Sequence, residues 1–142
     1  MRKIPILFSD HHADHALWLL EKMGGEAAAL VVVDAHADTA PNPARDRIRS
    51  YIQRGNYRAA DDAFGNHNWI DPLVPHPVDS LVWISGISGF PGGARYEGFV
   101  KSVAGWNIQK PRCITLDELD TVSLGGGVLF VSIDLDFFYQ DT

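Results

Sequence analysis

Cysteine is almost missing from this chain: Cys113 is the only one in 142 residues. One thiol can form no internal disulfide, and it cannot build a thiolate cluster for zinc or iron–sulfur. Long apolar runs are missing as well. None approaches the ~20 residues needed to cross a bilayer, so no membrane partner is expected. The apolar stretch after Met1-Arg2-Lys3 ends at Ser9 and Asp10, too short for a secretory signal, which makes the cytoplasm the expected location. Basic charge is scarce: 12 Lys and Arg stand against 18 Asp and Glu, a net charge of -6. Nucleic acid needs a basic face, so it is not an expected partner. Internal repeats and low-complexity tracts are also lacking.

What is present is a set of short apolar runs. They are Ile4 to Phe8, Ala29 to Val33, Leu81 to Ser85 and Val128 to Ile133, with a weaker run around Cys113-Ile114-Thr115. Their hydrophobicity is continuous rather than alternating, as in strands covered on both faces. Helical stretches lie between them. Ala13, Ala16, Leu17 and Leu20 share one face, and Gly24-Gly25 stops that helix. Pro43 to Arg54 is a charged helix with Gly55 at its end. Tyr57 to Phe64 and Tyr96 to Ala104 are two more, and Thr115 with Glu118 three residues later forms a capping-box signal. Gly86 to Gly98 is a glycine-rich loop without a phosphate-binding fingerprint. Alternating strands and helices over residues 1–142 predict one α/β domain of three layers, α/β/α, around a mainly parallel sheet of about five strands.

The chemistry sits where strands end. In open α/β sheets ligands bind beyond the carboxyl ends of the strands. Leu30-Val31-Val32-Val33 leads into Asp34, His36 and Asp38. Leu129-Phe130-Val131-Ser132-Ile133 leads into Asp134 and Asp136, and Phe8-Ser9-Asp10 leads into His11 and His12. A spacing of two in extended chain points side chains the same way. Four aspartates gathered beside an apolar core would raise each other's pKa. Two divalent cations would neutralise them, and oxygen-rich ligation with some imidazole suits manganese. Taken singly, each acid also reads as a turn or cap residue.

Asp34-Ala35-His36-Ala37-Asp38 resembles the Asp-Ala-His-x-Asp motif of the ureohydrolase (arginase, agmatinase) family. Ser132-Ile133-Asp134-Leu135-Asp136 resembles its Ser-x-Asp-x-Asp motif, and Asp10-His11 its opening Asp-His pair. The three occur in the family's order. The resemblance implies an arginase-like fold, shortened at its C-terminus, with two Mn(2+) ions. One ion would take His11, Asp34, Asp38 and Asp134, and the other Asp34, His36, Asp134 and Asp136. A hydroxide between them would attack a guanidinium carbon. Three features depart from the family. Tyr139-Gln140 replaces an expected Asp-Pro, the sequence stops at Thr142 where arginases continue with more strands and a substrate-binding acid, and the chain is about half the usual arginase length. Phe137-Phe138 and Asn68-Trp69-Ile70 resemble a compact branch that includes peptide arginases. These convert arginine side chains of precursor peptides to ornithine.

Further expectations complete the site. His12 is the alternative to His11, and His15 is a neighbouring or surface residue. His67 and then His76 are candidates to pass a proton to the leaving amine. Asp141 or the terminal carboxylate is a candidate for holding a guanidinium. Trp69, Trp83 and Trp106 are core or pocket wall. Arg45, Arg47, Arg49 and Arg54 form a solvated helix face or a site for an acidic leader peptide. The expected substrate is an arginine-containing peptide or a small guanidino compound, and a homo-oligomer would supply missing walls at a short sheet edge. Two rival readings are a deacetylase-type reaction at a single zinc and a metal-binding chain without activity.

Overall fold

Six consecutive apolar residues, Ala28–Val33, form the central strand β1 of a four-stranded parallel sheet. The computed structural model describes residues 3–23, 25–86, 92–124 and 127–139. Helix α1 (His12–Met23) precedes β1, and α2 (Arg45–Gln53), β2 (Val78–Ile84), α3 (Ala94–Val103), β3 (Arg112–Ile114) and β4 (Val128–Ile133) follow. The strand order is β3-β2-β1-β4. Short 3-10 turns fill the connections at Tyr57–Ala63, Asp71–Leu73, Leu116–Thr121 and Leu135–Tyr139.

The path through the sheet explains the layers. From β1 to β2 to β3 the chain steps in one direction, so right-handed crossovers put α2 and α3 on one face. Ile48 of α2 and Phe99 and Val103 of α3 share that core with Ala16 and Leu17 of α1, and with Leu30, Val32, Leu81 and Trp83 of the sheet. From β3 the chain steps back past β1 to β4, which sends the connection over the opposite face. There Val122, Leu124 and Phe137 pack on Val31, Val82, Ile84 and Ile114. Among the described residues this second layer holds 3-10 turns rather than α-helices, so the expected α/β/α sandwich is thick on one side and thin on the other.

Two expectations fail on the sheet. Among the described residues its strands number four, because Ile4–Phe8 forms none: Ile4 is 84% and Phe8 91% exposed. β-branched composition alone makes no strand where no neighbour supplies hydrogen bonds. β4 alternates half-buried and exposed positions instead of being covered on both faces: Val128 and Phe130 pack on the helical side, while Leu129, Val131 and Ile133 lie on the thinly covered one. The helix expected over Tyr57 to Phe64 is a 3-10 turn. The capping box is present: Glu118 Oε1 accepts from the Thr115 N–H at 3.2 Å and its hydroxyl at 2.9 Å.

A buried polar knot fixes the chain between β1 and α2. Asp71 accepts from the Asn42 N–H at 2.9 Å and from Trp106 Nε1 at 3.2 Å. Asn42 donates to the Ala63 carbonyl and to Asn68 Oδ1, and its own Oδ1 accepts the Ala44 N–H at 2.8 Å. Arg45 and Arg49 donate to the carbonyls of Val74, Pro72 and His76. These two half-buried arginines therefore tie down the 71–77 loop instead of standing in solvent, while Arg47 and Arg54 are exposed as expected. The result holds the residues after β1 rigidly over the carboxyl end of the sheet.

Candidate metal centre

β1 and β4 are parallel neighbours with Val33 opposite Ile133, so Asp34 and Asp134 leave the sheet side by side. The Asp134 N–H donates to the Val33 carbonyl at 2.9 Å, carrying the pairing one residue further. Beyond Asp34 the backbone turns sharply, and Asp38 sits at a φ of 58°. That left-handed conformation is uncommon without glycine, and aspartate tolerates it better than most residues. It brings the Asp38 carboxylate back toward Asp34.

Two clusters result: His12, Asp34 and Asp38, and Asp34, His36 and Asp136. In each, one ligand atom per residue lies within 4.8 Å of the others. Asp34 belongs to both. Asp34 and Asp38 are only 2% and 5% exposed. His12 Nε2 lies 3.0 Å from Asp134 Oδ2, and its Nδ1 lies 3.3 Å from Asp38 Oδ2 and 2.7 Å from the Asn66 carbonyl. His36 Nδ1 lies 3.0 Å from Asp136 Oδ2. Backbone N–H groups orient the acids: Ala35 donates to Asp136 at 3.2 Å, His36 to Asp34 at 2.8 Å, and Asp136 to Asp134 at 3.1 Å.

The electrostatics of this arrangement call for positive charge. Burial, then the neighbouring Asp38 carboxylate and Asp136, push Asp34 up to about 9, against the pull of the His36 N–H. Burial also raises Asp38, although Trp69 and His12 oppose it. Burial works upward on Asp136 too, but hydrogen bonds from the Ala35 N–H and Asp34, together with His36, outweigh it and leave Asp136 low. Asp38 Oδ1 is buried with no hydrogen-bond partner, while its Oδ2 accepts from Trp69 Nε1 at 3.0 Å. A buried carboxylate oxygen without a donor is destabilising. A divalent cation would satisfy it and remove the repulsion that raises Asp34. The donor set fits such an ion.

The expected residues divide cleanly. Asp34, His36, Asp38 and Asp136 come together, and Asp134 is joined to them through His12. His11 does not: it stands before the first turn of α1, exposed, 3.6 Å from the exposed Asp10. His12 takes its place because it is the first residue of α1 and its ring turns inward over the end of β4. His67 is exposed at the mouth of the cluster, 3.6 Å from Asp38 Oδ1 and 5.5 Å from the His36 ring. His76 lies elsewhere. It precedes β2, at the amino end of the parallel sheet, in a pocket with Leu20, Met23, Ile52, Tyr57 and Pro77. Asp141 falls outside the described residues.

His15 is a neighbour of the cluster, the first of its two expected places: its ring hydrogen-bonds with Ser132 Oγ at 3.0 Å behind His12, and burial, then the nearby His12, lowers its pKa. Other contributors escaped the sequence. Trp83 Nε1 donates to the Asp34 carbonyl at 2.8 Å, and Arg95 of α3 reaches the Ala35 carbonyl at 3.1 Å. Both clamp the turn that presents Asp34. Trp69 and Trp83 are core residues, as expected, but each also spends its N–H on the site. The signal was an aromatic donor near a buried acid, which sequence distance hides: 31 residues separate Trp69 from Asp38.

The fold and the site together define a parallel α/β protein with clustered His and Asp side chains able to hold a metal ion. No family model, curated protein or solved structure matches the chain. Among the described residues no helix is long and apolar enough to cross a membrane.

Proposed function

We propose that this chain is an arginase-like, two-metal hydrolase that cleaves the guanidino C–N bond of an arginine side chain, giving ornithine and urea. The observation that carries the reading is the sharing of buried Asp34 between two His/Asp clusters. One carboxylate facing two ligand sets is the arrangement that bridges paired cations. His12, Asp34, Asp38 and Asp134 would hold one ion, and Asp34, His36, Asp134 and Asp136 the other. Manganese suits this oxygen-rich set. When bound, the pair supplies activation of water at neutral pH and stabilisation of developing charge.

The chain's own residues do the rest. Trp69 and Trp83 hold Asp38 and the Asp34 backbone in place, so the ligands need not reorganise. His67, exposed at the mouth, is placed to carry a proton at a ring nitrogen to the leaving amine. The balance is one water consumed: its oxygen bonds to the guanidinium carbon, the C–N bond to the side chain breaks, and the amine gains a proton. The open mouth suits an arginine displayed on a peptide.

Urea release from arginyl peptide, free arginine and agmatine in the presence of manganese tests the reading. Turnover of the peptide with manganese is the expected result. No turnover of any guanidino compound would leave a metal-binding chain without this activity. A second reading rests on the Asp34, His36 and Asp136 group, which by itself has the two Asp and one His of a single-zinc deacetylase-type centre. One zinc per chain and hydrolysis of an acetylated amine would favour it.

A further inference from the structure

The molecule leaves two apolar strand-like elements uncovered. β4 has one edge paired to β1, and no described strand pairs with the other. Leu129, Val131 and Ile133 on its outer face are 51%, 53% and 54% exposed. Natural sheets blunt such an edge with lysine, proline or a bulge. The β4 sequence VLFVSI has no charge and no proline. The second element is Ile4–Phe8, outside any helix or strand, with Ile4, Ile6 and Phe8 all exposed.

The two elements fit each other. Ile4, Ile6 and Phe8 alternate, as the side chains on one face of a strand do. Pro5 has no N–H, so it is tolerated only where that side of the strand faces solvent. A strand bonded through Ile4, Ile6 and Phe8 would turn Pro5 outward and end the sheet there. Direction agrees as well. α1 lies over β4, with Trp18 edge-on to Phe130 at 5.7 Å and His15 bonded to Ser132. It shares the face of α2 and α3. A strand that feeds α1 and then β1 by a right-handed crossover belongs on the β4 side of β1, parallel to β4. Yet the chain's own segment is not paired there. Its end is fastened to the start of α1 by Ser9, which bonds the His11 carbonyl and Asp14.

We infer that two copies of this chain exchange these elements: residues 4–8 of each copy pair along the free edge of β4 of the other. The exchange is reciprocal and closed, as a two-fold dimer requires, and Pro5 prevents further growth. Leu129, Val131 and Ile133 project from the same sheet face as Val31, so residues 4–8 bonded along the edge would cover the flanks of these exposed side chains. Because residues 4–8 lead to His12 and β4 leads to Asp134, the contact borders the carboxyl end of the sheet in both copies.

Two measurements test it on the full chain. Sedimentation should show a dimer at micromolar concentration, and Val131→Lys or Ile6→Lys should raise its dissociation constant about 100-fold or more, with helix and sheet content unchanged by circular dichroism. Cross-linking keeps the test sharp should a lysine variant unfold. In a Cys113→Ser background, Ile6→Cys protein mixed with Val131→Cys protein should form a mixed disulfide between chains. A monomeric chain, or a dimer untouched by both lysines, would overturn the exchange. So would a double-cysteine variant that cross-links only within one chain.

Discussion

At the scale of single residues, Asp34 carries the account. Its folded pKa is raised to about 9, above the 3.8 of an ordinary aspartate, so between those values the metal-free folded chain holds a proton that the unfolded chain has lost. Folding stability of metal-free protein must then fall as pH rises through that window. Asp34→Asn copies the protonated form. It should leave metal-free stability almost unchanged near about pH 3, below both values, and raise it relative to wild type near about pH 9. Urea melts at the two pH values check this. Wild-type protein should also bind metal more tightly as pH rises, with proton release measurable by calorimetry in two buffers.

The neighbouring histidines give a second residue-level prediction. His12→Ala should weaken manganese binding about tenfold or more, whereas His11→Ala should leave it unchanged. Equal effects would return His11 to the site. Sequence could not separate them, because a shift of one residue at a helix start turns a side chain by about 100°. The four acids and His36 were legible because each follows an uninterrupted apolar strand. The N–H donors Trp69 and Trp83 were not, because tertiary folding alone brings them to Asp38 and Asp34. Trp69→Phe removes a donor from a buried carboxylate and should destabilise the fold by about 1–3 kcal/mol. Thermal melts with and without manganese should show the larger loss without metal.

At the scale of elements, the site exists because β1 and β4 lie side by side although 94 residues separate their ends, from Val33 to the Val128 start of β4 and its immediate acids. Apolar runs announced both strands but not their adjacency. Crossover handedness accounts for it once the order is known: two steps one way, then a return across the other face. Where runs misled, burial explains why. Ile4 to Phe8 has strand composition without a paired neighbour, and β4 has the apolar sequence of a central strand at an edge position. Leu30 is fully enclosed between the helices and the sheet. Leu30→Ala should destabilise the chain by about 2–5 kcal/mol without altering the metal-ligand set. Equilibrium unfolding, compared with metal stoichiometry of the folded variant, separates the two effects.

At the scale of the whole molecule, one end of the sheet is chemical and the other structural. The acids, His12, His36 and His67 gather at the carboxyl end, while His76 and its apolar neighbours close the amino end. The chain's formal net charge is -6, and two bound dications would reduce it without reversing its sign, which favours a cationic substrate over an anionic one. Raising ionic strength should therefore lower the second-order rate for an arginyl peptide more than kcat, and stopped-time urea assays at low and high salt check it. The α/β class was readable from alternation alone. The uneven layers were not, because nothing in the 115–124 stretch announces which face it crosses.

The central claim is that Asp34 serves two ions at once. The direct measurement is the manganese content of purified, dialysed protein by elemental analysis, beside that of Asp34→Asn. Two ions per chain in the wild type, and loss of both in the variant, is the predicted result. One ion per chain, or a variant that keeps both, would contradict it.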